Sequence, residues 1–188
     1  VADQTLRVVS DSANDNPAST GAFTLRLWWL DVAGDESTTD VNLNGVGMVD
    51  STAVTARRLN KARVVTCGVT GWNEGNITIY ATDGVTLLGY IPLGCNCTCQ
   101  AIQTTPRGKK DVLWYWSTPY GGSLTFLWAR ATPADAFTTR WLQYLTSYRT
   151  IPTELPVPIV LPAGTDYYLS NTAPASAQGS VSGYRIPV

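Results

Sequence analysis

Hydrophobic and polar positions along this chain alternate with a period of two. From Gly75 to Tyr80, Ile77 and Ile79 fall on one face, with Asn76, Thr78 and Tyr80 on the other. That spacing predicts a half-buried β-strand, because successive side chains on a strand point to opposite sides. Similar runs recur at residues 23–30, 63–69, 85–91, 97–104, 112–117, 124–129, 138–145, 157–161, 166–169 and 184–188. They are rich in Val, Thr, Trp and Tyr, which suit a pleated surface. Turn residues separate them: Asp83-Gly84, Pro106 with Gly108, Pro119 with Gly121 and Gly122, and Pro162 with Gly164. Short strands at this spacing predict an all-β fold with little helix, a β-sandwich or barrel. Two stretches, 52–63 and 134–141, hold enough Ala, Leu and Arg for a turn or two of helix.

Three segments punctuate the pattern. Residues 11–20 form an N-terminal polar loop, and residues 31–39 read as another polar connection. Residues 150–162 carry Pro152, Pro156, Pro158 and Pro162. Proline lacks an N–H donor, so this piece is an edge strand or an extended connection. None of the three has the character of a domain boundary. The expectation is one β domain over 1–188.

Composition narrows the function classes. The 188 residues are 44% hydrophobic but only 14% charged, against about 25% in ordinary globular proteins. Such a surface is uncharged and polar, or partly covered by partners. The net charge of -1 gives no electrostatic footprint for nucleic acid or an anionic membrane. No run of apolar residues is long enough for a spanning helix. Residues 1–10 do not read as a signal peptide. The chain contains no histidine, which removes the commonest general base and metal ligand. A glycosidase needs two carboxylates held together, yet Glu36, Glu74 and Glu154 each sit in loop-like settings. The expectation is a protein that is not an enzyme and has no cofactor.

Two groups of residues could carry binding or redox chemistry. Cys95, Cys97 and Cys99 share one face if their run is extended, and Cys67 is the fourth cysteine. Neighbours two apart on a strand lie beyond disulfide reach. Plain buried thiols, a disulfide from Cys67 to Cys97, and a metal site built at a symmetry axis all remain open. The tryptophans are the other group. Trp28, Trp114, Trp116 and Trp128 lie in strand-like runs and are candidate interface aromatics. Trp and Tyr are enriched at protein contacts, and they also stack on sugars or fill cores.

The order of elements resembles a family of virion-associated structural proteins of tailed phages, many from marine hosts. The residues that carry the resemblance are Asn14-Asp15 leading to Gly21-Ala22, the strand ending Leu30-Asp31, and Val41 to Gly45. Arg58-Leu59-Asn60, Gly75 to Thr78, Pro106 with Gly108 to Lys110, and Pro162 to Asp166 follow in order. The resemblance implies a jelly-roll-like β-sandwich in a phage particle, made in the host cytoplasm. It implies a homotrimer that serves as a capsid decoration (cement) protein bound to major capsid or tail proteins. The alternative is a tail-associated receptor- or carbohydrate-binding module with a host glycan as partner. The family supplies no catalytic residues, and the cysteine run is outside its pattern.

Overall fold

The structure is a computed structural model. It describes residues 4–51, 55–98, 103–118, 123–130, 138–145, 151–171 and 180–188, with side chains over 4–51, 55–98, 103–113, 129–130, 159–167 and 185–188. All regular structure among the described residues is β-strand. The contacts gather into two compact units, Val1–Gln100 and Ala101–Val188, where the sequence pattern suggested one domain over 1–188. Each unit buries an apolar cluster of its own.

The first unit holds β1 (Arg7–Ser10), β2 (Ala22–Leu30), β3 (Glu36–Asn42), β4 (Val49–Asp50), β5 (Arg58–Cys67), β6 (Ile77–Tyr80) and β7 (Leu87–Ile91). They form two antiparallel sheets, β4-β1-β6-β7 and β3-β2-β5. Val8, Ile77, Ile79 and Ile91 of one sheet share a core with Leu25, Leu27, Trp29, Val41, Leu59, Ala62 and Val64 of the other. The alternation of the sequence is visible here. Leu25 and Leu27 are buried, while Thr24, Arg26 and Trp28 between and beside them are half-buried on the outer side. Each Leu or Ile fully buried this way contributes roughly 1.5–3 kcal/mol. Two sheets meeting over one core make a β-sandwich.

The second unit holds β8 (Gln103–Thr104), β9 (Lys109–Thr118), β10 (Ser123–Arg130), β11 (Thr138–Leu145), β12 (Ile151–Leu161), β13 (Asp166–Asn171) and β14 (Ser180–Pro187). Its pairings are nested. Strand β8 pairs with β13, β9 with β12 and β10 with β11. The pairs alternate between the sheets β11-β10-β13-β8 and β12-β9-β14. A long hairpin rolled onto itself gives this nesting, which is the jelly-roll pattern with fewer strands than a full jelly roll. Leu113, Ala129, Leu161 and Tyr167, drawn from both sheets, form its core cluster. The first unit nests its pairs in the same way, β1 with β6 and β2 with β5, in alternate sheets.

Carboxylates tie the second unit together. Asp111 of β9 accepts from Arg185 Nε at 2.7 Å and from Tyr167 Oη at 3.2 Å. Asp166 of β13 accepts from Arg130 Nε at 2.9 Å and Thr104 Oγ1 at 2.6 Å. Both aspartates are buried. The charge-assisted bonds offset the cost of removing the carboxylates from water.

Several expectations require correction. Residues 58–63 are the first part of strand β5, not helix. Leu59, Ala62 and Val64 turn into the core there, and a register shift between Trp28 and Trp29 accommodates the break in strict alternation. In 134–141, residues from Thr138 onward belong to β11, and 134–137 lie outside the described residues. The run 97–104 does not continue as one strand in its described parts: Cys97 makes an isolated bridge to Arg63, and β8 covers only Gln103–Thr104. The supposed connection 31–39 ends in strand β3. The proline-rich piece is the edge strand β12, and its pairing with β9 is interrupted between Glu154 and Ile159, where Pro156 and Pro158 sit. The N-terminal loop 11–20 has no strand.

Candidate functional site

The outer face of the β3-β2-β5 sheet brings aromatic and ionic side chains into one plane. Register places Thr38, Trp28 and Lys61 in one row across it, Asp40, Arg26 and Arg63 in the next, and Asn42, Thr24 and Thr66 in a third. The Lys61 ammonium lies 5.1 Å from the Trp28 ring centroid, within cation–π range. Arg26 grips Asp40 with two parallel bonds, Nε to Oδ1 at 2.7 Å and Nη2 to Oδ2 at 2.8 Å. That hydrogen bonding holds the Asp40 carboxyl below its ordinary pKa and raises that of Arg26. Arg63 is exposed on the same face. An aromatic ring among hydroxyls, an amide and fixed charges is chemistry for binding a polar partner.

One end of the first unit carries a second arrangement, built on a buried carboxylate. Asp15 is fully buried. It accepts from Ser10 Oγ at 2.6 Å, Ala22 N at 2.8 Å, Glu74 N at 2.9 Å and Gly75 N at 3.0 Å. Asn73 and Asn96 exchange bonds, each side-chain oxygen accepting from the other's backbone N–H, at 3.0 and 2.9 Å. Asn96 takes a φ of 57°, a left-handed conformation that asparagine tolerates better than most residues. The loops 11–21, 68–76 and 92–96 are thereby pinned to each other. Above them stand Val69, 90% exposed, Trp72, 50% exposed, and Leu93, 59% exposed. Glu74 accepts from Asn14 and Thr20, which hold its carboxyl below the usual range.

The candidate residues separate. Trp28 stands on the outer sheet face, while its neighbour Trp29 is buried and donates Nε1 to Thr39 Oγ1 at 3.2 Å. Trp114 and Trp116 lie in β9 and Trp128 in β10, with side chains outside the described residues. Cys67, Cys95 and Cys97 are free thiols, so the Cys67–Cys97 disulfide is not formed. Cys97 sits opposite Arg63, and Cys67 is four residues farther along β5. At about 3.3 Å per residue that separation is roughly 13 Å, well beyond the Cα spacing of a disulfide. The left-handed turn at Asn96 also breaks the shared face of the cysteine run and leaves Cys95 exposed. Cys99 lies outside the described residues. Among the described residues no group of His, Cys, Asp and Glu could hold a metal ion, and no helix is long and apolar enough to cross a membrane.

Sequence reasoning missed both Asp15 as a hub and β3 as an element of the site. The signal for β3 was its Thr and Val content, since Thr38, Asp40 and Asn42 alternate with Thr39 and Val41. No pattern marks Asp15, two of whose four donors are 59 and 60 residues away. No protein-family model, no curated protein and no solved structure matches the chain.

Proposed function

We propose that this chain is a non-catalytic structural component of a phage particle, a decoration protein that works by covering and being covered. The observation that carries the reading is the outer face of β3-β2-β5, with Trp28 set among Arg26, Asp40, Lys61 and Arg63. A low-charge chain with such a face is suited to docking against other copies and against capsid or tail proteins, since aromatic and Arg side chains concentrate at protein contacts. The ordered motifs that resemble virion-associated proteins support the same reading, and they imply several copies working together. The test is an antibody raised against the chain and applied to purified intact particles of a phage that encodes it. Labelling of particles is the expected result. Labelling confined to the lysate, with none on particles, contradicts it.

A second reading is a receptor- or glycan-binding module. The half-exposed Trp72 on pinned loops favours it, because aromatic rings stack on sugars and rigid loops hold binding residues in place. A glycan array distinguishes the two. Saturable binding lost in Trp72→Ala supports the module, and an empty array removes it.

A further inference from the structure

The two sandwiches have several sheet edges, and one differs from the rest. An unpaired strand edge is a template for pairing with another chain, and proteins blunt it with prolines, bulges or short length. Strands β4 and β8 are two residues each. Strand β12 carries prolines and a register interruption. The pairings of β7, β11 and β14 each carry a register shift. The outer side of β5 is occupied by the chain itself, since Val64 N donates to Asn96 O at 2.8 Å and Thr98 N to Ala62 O at 2.9 Å. Strand β3 has none of these protections; its charged side chains are Glu36 and Asp40, and Asp40 is paired with Arg26 of β2. It is seven residues long, contains no proline, and matches β2 without a shift from Glu36 to Asn42. It ends its sheet, and no other described strand pairs with it.

The phase of its hydrogen bonds is determined. Leu43 N donates to Phe23 O at 2.8 Å, in the register that sets Thr24 opposite Asn42. Alternate antiparallel pairs exchange bonds, so Ser37, Thr39 and Val41 bond to β2. The N–H and C=O groups of Thr38, Asp40 and Asn42 therefore point away from the sheet. Their side chains lie on the outer face with Trp28 and Arg26.

We propose that β3 is the contact between two copies of this chain, paired antiparallel about a two-fold axis at Thr39. That centre is the midpoint of the strand, so it gives the longest overlap. It sets Thr38 opposite Asp40 of the second copy, and both present outward-pointing backbone groups. A centre at Asp40 sets that carboxylate against itself, which disfavours it. A centre at any bond between residues sets outward groups against inward ones and makes no ladder. In the Thr39 register each Asp40 is already held by Arg26 and meets a hydroxyl across the axis. The two three-stranded sheets become one continuous sheet, and the two Trp28 faces become one surface. The resemblance implies three copies. A two-fold pairing at this edge is an isologous contact and yields two.

The test is the native mass of the intact chain at about 100 μM, a concentration at which small interfaces of this kind are populated. The expected mass is about 41 kDa, twice the 20.3 kDa of one copy. Thr38→Pro removes an outward N–H without touching a bond to β2. It is expected to shift the mass to that of one copy, with the β-sheet circular dichroism unchanged. Asn42→Pro, also outward, serves if the first variant does not fold. Backbone exchange at Thr38 and Asp40 in the wild-type chain is expected to slow as concentration rises. A wild-type monomer at 100 μM, or an oligomer that persists in both folded proline variants, overturns the proposal. This test is independent of the particle reading, since a β3 dimer forms or fails in the purified protein whether or not particles contain it.

Discussion

Asp15 shows how much one side chain can organise. Its four donors come from β1, from the start of β2 and from the loop before β6. Two glycines make room for this packing. At Gly21 a Cβ would overlap the Asp15 carboxylate and the Asn14 carbonyl, and at Gly75 it would lie 2.6 Å from Ser10 Oγ and Ser12 N. Asp15→Asn keeps the shape but turns an NH2 toward N–H or O–H donors, leaving buried donors unpaired. Each costs about 1–3 kcal/mol, so the variant is expected to lower the urea midpoint clearly, with the slope unchanged. A midpoint equal to wild type would show that the network does not hold the loops. At Glu74 the direction of the pKa is set by neighbours on the surface, first the hydrogen bond from Thr20 and then that from Asn14. A lowered folded pKa contributes stability that is present above the unfolded value and lost as pH falls through the folded one. In Thr20→Val the Glu74 carboxyl is expected to titrate at higher pH than in wild type, as followed by NMR of its side chain. An unmoved titration would remove Thr20 as the cause.

At the level of elements, the second unit depends on bridges between strands as well as on apolar burial. Asp111 links β9 to Arg185 of β14 and to Tyr167 of β13. Asp111→Ala removes the acceptor that Arg185 and Tyr167 share, while Tyr167 Oη keeps its bond to Gln103 Oε1, and is expected to cost about 1–3 kcal/mol in chemical unfolding. A loss below roughly 1 kcal/mol would mean that these groups are rescued by water. Strands with strong alternation were legible in the sequence: β2, β6 and β11 sit where period two puts them. The edge character of β12 was legible from its prolines alone. Strand β3 was not, because Ser37 and Thr39 occupy its inward positions and carry no hydrophobic signal. The start of β5 was hidden by helix-favouring residues, Arg58, Leu59, Lys61 and Ala62, whose local preference yields to the core on one side and to β2 on the other. The site was legible in part. Trp28 and Arg26 share a face by period two alone, but Lys61 and Asp40 are brought beside them by register, which no single-strand pattern contains.

The whole chain is two sandwiches that share a nesting of strand pairs. The repeated pairing of first with sixth and second with fifth strand is invisible to sequence reading, because it lies in topology and not in repeated residues. The contacts divide at Gln100 and Ala101, where neither a linker composition nor a charge shift marks the place. The broad all-β outcome follows from the turn spacing and the β-branched content, whereas the jelly-roll-like nesting was implied only by the resemblance. The surface sets the functional reading: a face with Trp28, and an edge at β3 that has no proline and no register shift.

The most direct test of the particle reading is quantitative mass spectrometry of extensively purified particles, counting this chain against the major capsid protein. Peptides from both units are expected in repeated copies, at a fixed ratio to the capsid protein that survives further purification. A ratio that falls toward zero with each purification step would contradict it.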